Sequence, residues 1–143
     1  MISNTDSLFK NISTALIKKK PIVKVYGDDY NTPDGTTVRD YIHVSDLADI
    51  HFEVLKKISL IKKSIIINCG YNRGISVNSV INEFKRQSSK KIKILYLKKR
   101  PGDLAMVISN NKKLKQIIKW KPKYFKLNKI VKTCIKWEKT INR

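Results

Sequence analysis

Apolar positions recur at helical spacing in five stretches of the sequence. Leu8, Ile12, Ala15 and Leu16 share one helical face, with Ser7 or Asp6 placed to cap it. Lys18-Lys19-Lys20 suits the partial negative charge of that helix's C-terminus, and Pro21 forbids continuation. Leu47, Ile50, His51, Val54, Leu55 and Ile58 predict a second helix, capped by Ser45 with Asp46 in its first turn. Ser76 caps a third, whose inner face is Val77, Val80, Ile81 and Phe84. A short helix starts at Ser109 or Asn110, turns Leu114, Ile117 and Ile118 inward and ends before Pro122. Leu127, Ile130, Val131, Cys134 and Ile141 form the face of the last.

Other apolar runs have strand character. Val23 and Val25 belong to a short strand ending at Tyr26, and Ile92, Ile94 and Tyr96 alternate with lysines and Leu95 as a half-exposed one. Ser64 to Asn68 carries three consecutive isoleucines, the pattern of a strand buried on both faces of a parallel sheet. Between the first strand and the second helix, Gly27 breaks the strand and Thr32-Pro33-Asp34-Gly35 reverses the chain. It re-enters as the strand VRDYIHV, which brings Arg39 close behind Tyr26. Gly70 and Gly74 bracket a strand-to-helix loop, and their spacing lacks the three glycines of a dinucleotide-binding turn.

The 143 residues are one domain's worth of chain without internal repeats, enough to bury a core. The formal charge of +20 raises nucleic acid or an anionic membrane as partners. Against base reading, the 31 basic residues are almost all lysine, and lysine lacks arginine's bidentate fork. Lys, Ile and Asn share A/T-rich codons, so coding bias accounts for solvated lysine-rich faces with at most non-specific affinity for polyanions. Cys69 and Cys134 stand 65 positions apart with no C-x-x-C pair. They read as free, buried thiols in a reducing compartment, the cytoplasm. No run reaches the apolar length of a membrane span, so no membrane partner is expected.

Arg39 and Arg100 are the residues with the most chemical content. Each lies beside a Gly-containing loop and an Asp. Two guanidinium forks converging on a pyrophosphate would give charge-assisted hydrogen bonds of about 1.5–3 kcal/mol each. The alternative is a pair of surface salt bridges, Arg39 with Asp40 and Arg100 with Asp103, of little energetic consequence. His43 and His51 have no third ligand at metal spacing and read as capping or packing residues. Asp28, Asp29 and Asp34 sit in a turn that uses Asp for local hydrogen bonds.

The string from Gly27 to Ala48, GDDYNTPDGTTVRDYIHVSDLA, resembles the signature of the UDP-glucose 4-epimerases of the extended short-chain dehydrogenase/reductase family. Asn68-Cys69-Gly70, Ser76-Val77, Arg100-Pro101-Gly102-Asp103, Trp120-Lys121-Pro122 and Thr133 with Trp137 stand where that family has its like. The resemblance implies an α/β fold, the C-terminal substrate-binding part of an extended Rossmann-type epimerase. The strand at 64–68 would then join the parallel sheet of an N-terminal half. It also implies a UDP-sugar site. Arg39 and Arg100 contact the diphosphate, Asp103 binds a ribose hydroxyl, Lys24, Val25 and Tyr26 lie along the uracil, and Leu8 adds a substrate contact. Ser7 replaces the family's Asn or His and Val107 an aromatic, and both departures weaken substrate contacts.

The family's redox step uses NAD, held by a G-x-x-G-x-x-G turn, and a Tyr-x-x-x-Lys pair. Neither motif occurs in this sequence. The expectation is therefore that residues 1–143 are a single truncated domain, with the NAD-binding half absent, no catalytic residue and no cofactor bound by this chain alone. It would belong to a truncated or split UDP-glucose 4-epimerase that interconverts UDP-glucose and UDP-galactose when complete. Its partners would be a UDP-sugar and a separately encoded N-terminal half, without specific nucleic acid. The other two readings are a decayed remnant that at most binds UDP-sugar weakly, and a non-specific basic polyanion-binding module.

Overall fold

The computed structural model describes residues 7–142. Helix α1 spans Leu8–Ala15, with Ser7 in the capping position but making no capping bond through its side chain. Asp6, the other candidate cap, lies outside the described residues. Strand β1, Ile22–Tyr26, follows Pro21. Gly27 then adopts φ +86° and Gly35 φ +76°, the left-handed conformation that both turns need. The turn reverses the chain, but β2 is only Val38–Arg39 and joins a different sheet from β1. The expected strand VRDYIHV stops there because its neighbours are equally short, and because Asp40 turns aside to accept hydrogen bonds from the Tyr71 and Asn72 amides.

Helix α2, Val44–Leu55, is capped by His43, not Ser45. The His43 ring accepts from the Ser45 amide at 3.1 Å, so the helix begins two residues earlier than the sequence predicts. A short 3-10 turn, Ile58–Leu60, follows. Strand β3, Ile75–Ser76, leads into α3, Val77–Ser88, whose Ser76 cap accepts from the Ser79 amide. Then come β4 (Lys93–Leu97), β5 (Met106–Val107), α4 (Lys112–Ile117) and α5 (Leu127–Ile141). Asn111 occupies the α4 cap position, while Asn110 binds the Lys112 amide, and β5 had no signal in the sequence. Among the described residues no helix is long and apolar enough to cross a membrane.

Two small sheets result. β1 and β4 pair in parallel from Ile22↔Lys93 to Tyr26↔Leu97, and β2 lies between β3 (antiparallel) and β5 (parallel). The larger core sets Val23 and Val25 of β1 against α1, α3 and α5 through Ile12, Val80, Ile81, Phe84 and Val131. A second core joins α2 and α4 through Ile50, Leu114 and Ile118.

Residues 64–68, expected as a strand buried on both faces, pair with nothing among the described residues, and Ile66 is 86% exposed. A parallel strand needs neighbours to satisfy its backbone, and this chain supplies none there. Leu55 and Ile58, expected on the inner face of the second helix, are also exposed. Ile141, expected inward, faces solvent, and Glu138 occupies the inner position instead. Cys69 and Cys134 are free and partly buried, and burial pushes both thiols up.

Two buried carboxylates tie these parts together. Asp46 is fully buried and accepts from the Tyr71 hydroxyl (2.6 Å) and from the Lys123 and Tyr124 amides (2.9 Å each). Glu138 fastens α5 to α1, accepting from Lys10 Nζ (2.8 and 2.9 Å), Thr14 and Ser13. Burial pushes the Glu138 carboxyl up, but those hydrogen bonds and the Lys10 charge outweigh it and hold it below its ordinary 4.5. The folded state thus binds this proton less tightly than the unfolded chain. The resulting stability is present above pH 4.5 and is lost as pH falls through the folded value. Lys10→Met strands the buried carboxylate, and the expected cost at pH 7 is about 1–3 kcal/mol. That cost should shrink below pH 4.5, where Glu138 is neutralised by protonation. Urea unfolding of both proteins at the two pH values checks it.

Candidate functional site

A cleft of about 770 Å³ runs along β1 between α1 and the β4–β5 loop. All seven residues singled out from the sequence, Leu8, Lys24, Val25, Tyr26, Arg39, Arg100 and Asp103, line it. The pairing of β1 with β4 explains how residues so far apart meet. Tyr26 stands opposite Leu97, and the Gly27 amide extends the ladder to the Leu97 carbonyl at 2.8 Å. The loop after Leu97 then brings Arg100 over the Tyr26 ring, 3.8 Å from its centroid. Gly102, at φ +80°, closes the turn that returns Asp103 toward Arg39.

Neither arginine makes the surface pair that adjacency in sequence suggests. Arg39 donates to the Val38 carbonyl at 2.9 Å and pairs with Asp103 at 3.3 Å, while Asp40 is taken up by two backbone amides. Arg100 stacks on Tyr26 and leaves Asp103 to Arg39. Asp103 is 35% exposed and Arg39 25%, so their ion pair is weak and both groups remain open to the cleft.

Asn11, Lys18, Ile22, Thr37, Tyr41, Val77 and others complete the lining. Tyr41 was legible in the sequence: two residues beyond Arg39 on an extended chain, its side chain falls on the same side. Its ring packs edge-on against Phe9. Burial pushes its hydroxyl up to about 12 against the opposing Arg39 charge, so it stays a neutral hydrogen-bond donor. Lys18 and Asn11 carry no such signal, because the turn after α1 decides where they point.

The histidines lie elsewhere. His43 stacks on Tyr124 at 4.1 Å and meets the Thr133 hydroxyl at 2.9 Å, and burial holds it below its ordinary value despite Asp46. His51 bonds the Leu47 carbonyl. Among the described residues no cluster of His, Cys, Asp or Glu is arranged to hold a metal. Asp34 works inside its turn, accepting from Thr36 and from Ser76 at the head of α3.

One end of the cleft thus offers two guanidinium groups, one carboxylate and an aromatic ring, and its floor is β-branched. This combination suits a ligand with a planar base, a polyol and a doubly charged phosphate chain. A nicotinamide dinucleotide does not fit the described residues in the same way. Its pyrophosphate needs glycines that leave open space at a helix N-terminus. Space for a side chain at Gly70 is filled by Ser109 and Asp40, and at Gly74 by Val38 and Ile108.

The family model described as GDP-mannose 4,6 dehydratase matches residues 4–134. The UDP-glucose 4-epimerase of Azospirillum brasilense is 36% identical over 136 residues, covering 95% of this chain and 39% of that protein. The structure of UDP-glucose-4-epimerase from Stenotrophomonas maltophila, with bound NAD and formylated UDP-arabinopyranose, superposes with a TM-score of 0.91 at 30% identity. It covers 100% of this chain and 42% of that one. The UDP-Glc/GlcNAc 4-epimerase of Campylobacter jejuni gives 0.84 at 33% identity, covering 97% and 43%. The chain spans about two-fifths of the length of these relatives.

Gly27 and Gly102 separate backbone strain from packing in the cleft wall. A methyl at Gly27 would meet the buried Tyr30 ring and Lys99 Cγ at 2.7 Å, whereas at Gly102 it meets nothing within 4 Å. Gly102→Ala should cost about 1–2 kcal/mol from its positive φ alone. Gly27→Ala should cost more, about 2–4 kcal/mol, since a clash with a well-packed ring adds to the same strain. Denaturant unfolding of both variants measures the difference, and equal losses would mean that Tyr30 yields freely.

Proposed function

Because the chain belongs to the family described as GDP-mannose 4,6 dehydratase, and shares its fold with part of the UDP-sugar 4-epimerases, we propose that the cleft along β1 holds the UDP portion of a nucleotide sugar. The observation that carries this reading is the meeting of Tyr26, Arg39, Arg100 and Asp103 at one end of the cleft. In this reading Arg39 and Arg100 grip the diphosphate, Asp103 accepts from a ribose hydroxyl, and the base lies along Lys24, Val25 and Tyr26, with Leu8 closing the far wall. Diphosphate entry draws Arg39 from Asp103 and Arg100 from Tyr26. Each exchanges a weak partner for a doubly charged one and frees the carboxylate and the ring for the nucleoside.

We assign the chain to a UDP-glucose 4-epimerase, interconverting UDP-glucose and UDP-galactose, in which it supplies the nucleotide-sugar contacts. NAD supplies the hydride transfer in such enzymes, and the described residues of this chain do not build its site. The part that does would dock on the apolar strip of α2 and residues 58–69. Phe52, Leu55, Ile58, Leu60 and Ile66 are exposed there beside a groove of about 680 Å³. Surface this apolar is normally covered. Residues 64–68 would then find the sheet they lack.

Calorimetry with UDP and uridine tests the cleft. Arg39→Ala and Arg100→Ala should each weaken UDP by about 1.5–3 kcal/mol and leave uridine nearly unchanged, since uridine has no diphosphate. If both variants bind UDP as the parent does, the arginines are structural only.

The docking reading has its own test. Mixing this chain with the NAD-binding part of the Azospirillum brasilense relative should produce conversion of UDP-galactose that neither piece shows alone. A stable complex without conversion would leave nucleotide-sugar binding and remove the catalytic assignment.

A further inference from the structure

We propose that α4, the connection from Ile118 to Lys126 and the outward side of α5 form a surface that binds the backbone of single-stranded nucleic acid, without base specificity and apart from the β1 cleft. From residue 104 to 142 the sequence holds eleven lysines and one carboxylate, Glu138. That carboxylate is 3% exposed and already neutralised by Lys10 across the α1–α5 contact. All eleven lysines are exposed, and among the described residues only Lys123 has an ion-pair partner, Asp49. None of the cleft's lining residues lies beyond Asp103, so this charge belongs to a different face.

Coding bias does not account for the asymmetry. The bias acts on the whole chain alike, so it does not by itself explain why ten of the eleven carboxylates lie in residues 1–103 and only one beyond them. Elsewhere the charges are mixed, as in the pairs of Arg86 with Glu83 and Lys56 with Glu53. On α5, Lys129, Lys132, Lys136 and Lys139 recur at helical spacing along one stripe about 15 Å long at the usual rise per residue. Lys129 Nζ also reaches the Lys123 carbonyl at 3.1 Å, which joins the stripe to the connection before it.

A nucleic acid fits this surface better than a membrane does. The apolar side of α5 is turned to the core through Ile130 and Val131, and of its apolar residues only Trp137 and Ile141 are left exposed, too little apolar surface for the helix to bury in lipid. Trp137, 62% exposed on the flank of the same helix, and Phe125, 40% exposed in the connection before it, add aromatic rings to this lysine-rich surface, and single-stranded bases stack on such rings. Lysine alone contacts phosphate as a point charge and reads no base edge, which makes the binding indifferent to sequence.

The test compares two quadruple variants of the full chain with the same net charge. One carries Lys→Gln at 129, 132, 136 and 139, the other at the exposed positions 19, 57, 62 and 91. Fluorescence anisotropy follows binding of oligo-dT and of a mixed-sequence RNA across a salt series, with circular dichroism to compare the folds. The parent should bind both oligomers alike with a steep salt dependence. The α5 variant should flatten the log–log slope by about 3, at about 0.7 per lost phosphate contact on a single strand, and the scattered variant by less than about 1. Should the α5 variant not fold, the pair Lys132→Gln and Lys136→Gln should give about half that change. Trp137 emission should be quenched on binding, and saturating UDP should displace neither oligomer. Equal flattening in both variants, displacement by UDP, or tighter α5-dependent binding to phosphatidylserine vesicles than to either oligomer would each overturn the proposal.

Discussion

The parallel pairing of β1 with β4 is the constraint on which the cleft depends. Its register fixes Tyr26 opposite Leu97, so a loop of three residues is enough to bring Arg100 back over the ring. Gly27 permits the sharp exit that continues the ladder, and its missing side chain is the space that Tyr30 and Lys99 fill. A slip of one residue in this pairing would turn Val23 and Val25 out of the core and point Tyr26 away from the cleft. Core packing and site geometry are therefore specified by the same hydrogen bonds.

Carboxylates hold the rest in place, and in a chain this basic they do so mostly without lysine. Asp34 links the long turn to the head of α3 through hydroxyls and an amide, Asp40 holds the Tyr71–Asn72 backbone, and Asp46 gathers α2, Tyr71 and the approach to α5. Backbone amides are fixed donors that lose little entropy when used, unlike a long flexible ammonium. Glu138 is the exception, a buried carboxylate paired with Lys10. The consequence is a surface whose lysines remain largely uncommitted and available to anions.

The chain also presents two unlike faces. The cleft carries its polar groups already arranged for the nucleotide sugar proposed to bind there, while the strip of α2 and residues 58–69 exposes the apolar groups on which the NAD-binding part is proposed to dock. Burial of the second does nothing for the first directly. Both rest on the segment from Gly27 to Leu55, which supplies Arg39 to one and Phe52 to the other.

Helix positions, the Gly27 and Gly35 turns and seven of the residues that line the cleft were legible in the sequence, because each depends on local spacing, on conformational preference or on motif residues, whereas Asn11 and Lys18 were not. Val77, Val80, Ile81 and Phe84 form a helical face wherever they are placed, and Gly27 permits a left-handed turn by having no side chain. What local rules do not contain is partner choice. His43 instead of Ser45 caps α2, Asp103 instead of Asp40 takes Arg39, and Tyr26 instead of Asp103 takes Arg100. Residues 64–68 carry a strand's composition and remain unpaired, because composition sets what a segment is able to do and a neighbouring strand decides whether it does it. Sequence alone determined the kinds of groups at the cleft; the tertiary structure decided which of them face one another, since the Arg39–Asp103 contact joins residues 64 positions apart.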